Sequence, residues 1–256
     1  MVKATLEYCT DNLRNKEPSP DVENYVTIKK AMVKVKLEEV SEPLDISEDD
    51  YEVVLKRFKS KQTKSYDFLL RSSRNYQDAI FSFCKRMIEE EVFPEMFRRT
   101  LLYMIWKQKG IQEVLKNNRF IHLKEHYLPR TVEALVVDKM KDDILSKSTM
   151  YQVGGQPGHS TEEHLFTIKS MIEQLENKGQ GMIFTLIDIV SFFDREDIHD
   201  VIATLYEMGV NETATRIWFK LNQNTEICVK TSAGLTDTAL VGDVIGQGTA
   251  GAALIS

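Results

Sequence analysis

Cysteine is scarce and scattered in this chain. Cys9, Cys84 and Cys228 form no Cys-x-x-Cys pair and leave an odd count, which argues against a disulfide framework or a thiolate zinc site and suits reduced thiols inside a cell. No apolar run reaches the roughly 18 residues of a membrane-spanning helix, and no basic-then-apolar leader opens the chain. Neither a membrane partner nor secretion is expected, and the cytoplasm or nucleus is the expected location. The chain has no internal repeat, and it lacks an overall basic excess. Its net charge is −6, which speaks against nucleic acid covering the whole surface.

The charge is unevenly spread. From Lys56 to Lys64 there are five basic residues and no acid, and from Arg98 to Lys147 there are 11 basic and 6 acidic residues. Acid gathers in Glu38 to Glu52. A basic stripe in an acidic chain fits a groove for phosphates, or equally a solvated helix face. With 256 residues, 42% of them hydrophobic and 28% charged, a real core and one large domain or two subdomains are expected.

Residues 1–45 are polar and carry Pro18, Pro20 and Pro43, so they read as an extension or linker. Ser47 is placed to cap a helix with Tyr51, Val54, Leu55 and Phe58 inward. Tyr76–Glu91 is a stronger amphipathic helix. Thr100–Trp106 and Phe120–Leu123 are apolar enough for a hairpin, and Thr131–Leu145 is helical again. A Gly/Pro loop at Gly154–Gly158 precedes a helix that starts at Ser160. Thr225–Lys230 and Thr238–Val241 read as two strands. Hairpins mixed with helices indicate an α+β fold with helices on one side of an antiparallel sheet.

The most informative stretch is Phe184 to Ile198. The apolar run Met182–Ile187 predicts a strand that ends in Asp188, and Phe193 and Asp194 follow. A carboxylate at the mouth of a buried strand is costly without a compensating cation, and divalent metal is the usual compensation in phosphoryl-transfer enzymes. The plain alternatives are Asp188 as a turn residue and Asp194 as the N-cap of the helix that follows.

Several separated stretches together resemble the reverse transcriptases of non-long-terminal-repeat retroelements, with group II intron and Penelope-like enzymes as cousins. IWKQKG at Ile105–Gly110 and NNRFIHL at Asn117–Leu123 resemble the family's fingers segment, and VEALVVDKM at Val132–Met140 the helix after it, with Glu133 in the glutamate place. YQVGGQPGHSTEEHL at Tyr151–Leu165 resembles the Gly-x-Ser-Thr loop. LIDIVSFFD at Leu186–Asp194 resembles the first catalytic palm motif, and GDVIGQGTAGAAL at Gly242–Leu254 the glutamine-glycine motif.

The resemblance implies right-hand polymerase architecture: a polar extension over 1–45, fingers over 46–180 and a partial palm over 181–256. It implies RNA-directed DNA synthesis by two-metal nucleotidyl transfer, with RNA template, DNA primer and deoxynucleoside triphosphates as partners. Asp188 would ligate Mg²⁺ or Mn²⁺, helped by the carbonyl of Ile189. Phe193 would stack beneath the incoming sugar and exclude a 2′-hydroxyl, while Asp194 would hold the turn and cap its helix. Arg119 with Lys107 or Lys109 would face the triphosphate, and Gln247 and Gly248 the nucleotide and template. Lys59, Lys61 and Lys64 would bind template phosphates.

The family's aromatic-x-Asp-Asp motif is absent after Gln247. The sequence is therefore expected to be a fragment, inactive alone and with its cation incompletely liganded. The alternative is a non-catalytic nucleic-acid-binding remnant or a co-opted retroelement protein. An unrelated metal-dependent phosphohydrolase using Asp188 and Asp194 would leave the NNRFIHL and glutamine-glycine stretches unexplained.

Overall fold

A computed structural model describes residues 2–14, 20–39, 42–60, 66–189, 192–242 and 245–255. The first helices are α1 (Val2–Arg14), α2 (Pro20–Glu38), α3 (Glu48–Ser60), α4 (Asp67–Arg71) and α5 (Arg74–Glu90). A hairpin of β1 (Arg99–Trp106) and β2 (Asn118–Lys124) leads to α6 (Tyr127–Lys147), α7 (Thr161–Glu176) and α8 (Phe192–Arg195). The chain continues through α9 (Ile198–Glu207), α10 (Glu212–Asn222), β3 (Thr225–Thr231), β4 (Gly234–Leu235), β5 (Ala239–Gly242) and α11 (Ala252–Ile255).

The fold is α+β. Five strands make one open sheet in the order β2-β1-β3-β4, with β5 also on β3. β1 and β2 pair antiparallel with Met104 opposite Phe120 and Ile105 opposite Arg119. β1 and β3 run parallel, with Tyr103 opposite Lys230. The sheet is thus mixed, not wholly antiparallel as the sequence suggested. The parallel pair follows from the long helical excursion between β1 and β3, since only a crossover can return the chain in the same direction.

α1 covers the sheet face that carries Leu102, Ile227 and Val229. The opposite face, with Tyr103, Arg119, Ile121, Cys228 and Lys230, is half-buried or exposed. The larger core is helical. α6 sits at its centre, with Val132, Leu135, Val136 and Met140 fully buried against Ile217 and Trp218 of α10. Each such side chain contributes about 1.5–3 kcal/mol by leaving water.

Local signals act as expected in several places. Ser47 and Asp50 make a reciprocal cap at α3: Ser47 N–H donates to the Asp50 carboxylate at 2.8 Å, and Asp50 N–H donates to Ser47 Oγ at 3.2 Å. At the far end of α5, Glu91 takes the left-handed conformation, φ 51°. Its carboxylate there accepts from Arg216 and Lys220 of α10.

Three expectations are corrected. The described residues 2–14 and 20–38 do not stand outside the core as an extension or linker. They form α1 and α2, with Cys9 and Val33 buried and α2 packed along α9. The N-cap of α9 is Asp197, whose carboxylate accepts from His199 N–H at 2.8 Å, while Asp194 lies within α8. No strand forms over Met182–Ile187. A strand needs an edge to pair with. The stretch pairs with none of the five strands of the sheet. Among the described residues no helix is long and apolar enough to cross a membrane.

Candidate nucleic-acid interface

The β1–β2 hairpin places three of the cations singled out in the sequence. Lys107 and Lys109 stand exposed at its tip, and Lys107 Nζ donates to the Lys116 carbonyl at 3.0 Å. Arg119 is exposed on the open sheet face. Lys230 joins it there, with its ammonium 5.2 Å from the centre of the Tyr103 ring. The outcome is a sheet face with cations over aromatic and aliphatic side chains.

The glutamine-glycine turn is seated on the outer edge of this sheet. His122 N–H donates to the Gln247 carbonyl at 2.7 Å. The approach is close enough to require glycine on both sides. A Cβ on Gly246 would lie 2.5 Å from His122 Cγ, and one on Gly248, where φ is +105°, would lie 2.8 Å from Ile121 Cγ2 and 3.1 Å from the His122 carbonyl. Ile121 and Arg119 are two residues apart on one strand and share its face. The turn, distant in sequence, therefore lies on the strand that carries Arg119. Gly248→Ala combines a strained φ with this crowding, so it is expected to lower stability by about 1–3 kcal/mol, read by urea denaturation.

Beside that turn opens a groove of ≈ 670 Å³, bounded by α3, α6, the end of β2, the Gly155–Pro157 loop and residues 248–254. Arg57, Lys124, Arg130 and Lys141 line it, against the acids Glu133 and Asp138. Arg57 is held by both oxygens of Asp138, at 2.8 and 2.7 Å. Arg130 donates to the Lys124 carbonyl at 2.9 Å and lies 5.7 Å over the Tyr66 ring. Lys124 is fully buried and donates to the Leu221 carbonyl at 3.0 Å, and burial pushes its ammonium below the usual lysine range. Burial likewise pushes the Glu133 carboxyl up, although the charge of Lys124 acts against it. Glu133 Oε2 accepts from Ala250 N–H at 3.3 Å, which ties α6 to the turn. A second cavity of ≈ 480 Å³ is lined by Glu196, Asp197 and Asp200 of the α9 start. Its charge has the wrong sign for phosphate, so the first groove and the open sheet face form the candidate interface.

The remaining residues proposed from sequence lie elsewhere. Asp188 and Ile189 are exposed in the irregular stretch 180–189 and line neither cavity. Phe193 is half-buried against the helical core, edge-on to Phe192 with ring centres 5.5 Å apart. Lys59 is exposed near the end of α3. Lys61 and Lys64 lie outside the described residues. Among the described residues no three His, Cys, Asp or Glu side chains converge as a metal site, and Asp188 has no hydrogen-bond or ion-pair partner. Asp188 by itself offers one carboxylate, and Mg²⁺ held there would need its remaining oxygens from water and substrate phosphates.

His122, Lys124, Arg130 and Lys230 belong to this interface but were not singled out from the sequence. The signal was available for two of them. His122 and Lys124 alternate with Ile121 and Leu123 and share a face with Phe120, the pattern of a polar pair drawn inward. No family model matches this chain. No curated protein matches it either.

Proposed function

We propose that this chain binds a nucleic-acid template through the groove and the open sheet face and serves RNA-directed DNA synthesis, as the fingers and partial palm of a reverse transcriptase. Its ligands on this reading are an RNA template, a DNA primer and deoxynucleoside triphosphates. One observation carries the reading. The glutamine-glycine turn lies against β2, so that two separated stretches that resemble parts of the same family are in contact. Arg119, with Lys107 and Lys109 at the hairpin tip, would offset charge on the triphosphate oxygens. Arg130 and Lys141 give the groove cations that would position a phosphate backbone without reading its sequence. The glycines at 246 and 248 keep backbone close to whatever occupies the turn's outer side.

A second reading, a nucleic-acid-binding protein without catalysis, is favoured by the solitary exposed position of Asp188. Two measurements separate them. RNA affinity is expected to fall with salt, and Arg119→Ala should flatten the slope by roughly 0.7 for a single-stranded ligand. Primer extension on an RNA template by a longer protein that also carries an aromatic-x-Asp-Asp segment, abolished by Asp188→Ala, supports the polymerase. Salt-dependent binding without extension supports the second reading. A slope near zero removes both.

A further inference from the structure

The stretch 181–189, Gly-Met-Ile-Phe-Thr-Leu-Ile-Asp-Ile, forms no helix or strand and is open to solvent. Ile183 is 95% exposed, Leu186 93% and Ile187 88%, with Phe184 and Ile189 also exposed. None of the nine residues has a positive φ, so the backbone can extend without strain. The composition is that of a buried strand: β-branched and aromatic residues, one charge, no proline. α7, just ahead in the chain, likewise has no buried residue and exposes Leu165 and Phe166. Exposed apolar surface of this extent marks an interaction site.

We propose that this stretch is an association surface for a second copy of the same chain, with two copies of 181–189 pairing antiparallel about Thr185. The register is self-complementary. It sets Ile183 opposite Ile187 on one face and Phe184 opposite Leu186 on the other, so the cross-strand pairs near the centre are apolar. Asp188 falls opposite Met182. The two carboxylates then stand six residues apart, about 20 Å, which exceeds the Debye length of about 8 Å at physiological salt. A parallel in-register pair would set Asp188 against Asp188 and is excluded by repulsion. The antiparallel pair has twofold symmetry and closes as a dimer. A bare two-stranded ribbon is marginal, and α7 supplies the additional apolar surface. Together the exposed apolar residues of 181–189 and α7 offer on the order of 1,000 Å² per copy, against the about 800 Å² per partner of a standard interface. The stretch has no cation and only one anion, so it has little charge with which to select a different partner.

Sedimentation velocity of the full chain at micromolar concentration is expected to show a dimer. Ile187→Lys should raise its dissociation constant on the order of a hundredfold, because the lysine would be buried opposite Ile183. Ile187 is nearly fully exposed in the single chain, so an unchanged melting temperature at a concentration where both proteins are monomeric verifies that the variant folds. Thr185→Cys should form an intermolecular disulfide under mild oxidation, since the register brings the two positions together. Met182→Cys should not, since its own copy lies about 20 Å away. The native protein, with Cys9 and Cys84 buried and Cys228 half-buried, is the control. A monomeric native chain overturns the proposal. So does a dimer indifferent to Ile187→Lys, equal cross-linking at 182 and 185, or an open-ended polymer.

Discussion

Glu91→Ala is expected to destabilise the protein by about 3–5 kcal/mol, as removal of one partner from a buried ion pair commonly does. The Glu91 carboxylate accepts from Nε of Arg216 at 3.0 and 3.1 Å, from Nη2 of Arg216, and from Lys220 Nζ at 2.5 Å. The Arg216 side chain is only 8% exposed and that of Glu91 17%, so water does not replace the lost contact. Burial by itself would push the Glu91 carboxyl up, yet the hydrogen bonds from Arg216 and Lys220 outweigh it and hold the group below the usual glutamate range. Its stabilising effect is therefore complete above the unfolded value near 4.5 and is lost as pH falls through the lower folded value. Urea denaturation at neutral pH measures the mutational loss. Arg216→Met in the same background tests its cause: with the stranded cation gone, a substantial part of the stability should return.

Mild acid should release the glutamine-glycine turn. His122 is fully buried, and burial, helped by the charge of Lys124, brings its imidazole down to about 3. The folded protein thus holds the ring neutral, whereas the unfolded chain takes up a proton near pH 6.5. The contribution of His122 is complete above pH 6.5 and falls by about 1.4 kcal/mol per pH unit as pH drops toward 3. Between pH 6.5 and 5 this comes to about 2 kcal/mol. The window lies above the range in which Glu91 begins to matter, so the two effects separate. Gly246 packs against the ring, and the His122 N–H holds Gln247. Charging the ring should therefore loosen this edge before the helical core. Hydrogen exchange at the His122 amide is expected to accelerate over that window, and His122→Gln should remove the ring's share of the stability lost there.

Most elements could be read along the chain. The helical spacing of Tyr76, Ile80, Cys84, Met87 and Ile88 and the cap at Ser47 are local signals, and local hydrogen bonds satisfy them, although Phe83, at the same spacing, is exposed. The β1–β2 hairpin was legible for the same reason, because its partners are near neighbours in sequence. Met182–Ile187 has equally good strand composition, yet it stands unpaired. A strand is made by its partner, and partner availability is not written in a single segment. The polar N-terminal stretch failed in the opposite sense: α1 and α2 gain stability from surfaces on the sheet and α9, which composition does not reveal.

The interface divides along the same line. The sequence alone determined the α+β class, the positions of α3, α5, α6 and the β1–β2 hairpin, and the residues able to carry charge, because periodicity, capping and side-chain chemistry act over a few residues. Tertiary structure decided that Gln247 rests on His122, that Lys124 and Glu133 are buried beside one groove, and that Asp188 stands apart from it. Those outcomes depend on which surfaces compete for the same apolar contacts and hydrogen bonds, and that competition is settled only when the whole chain packs.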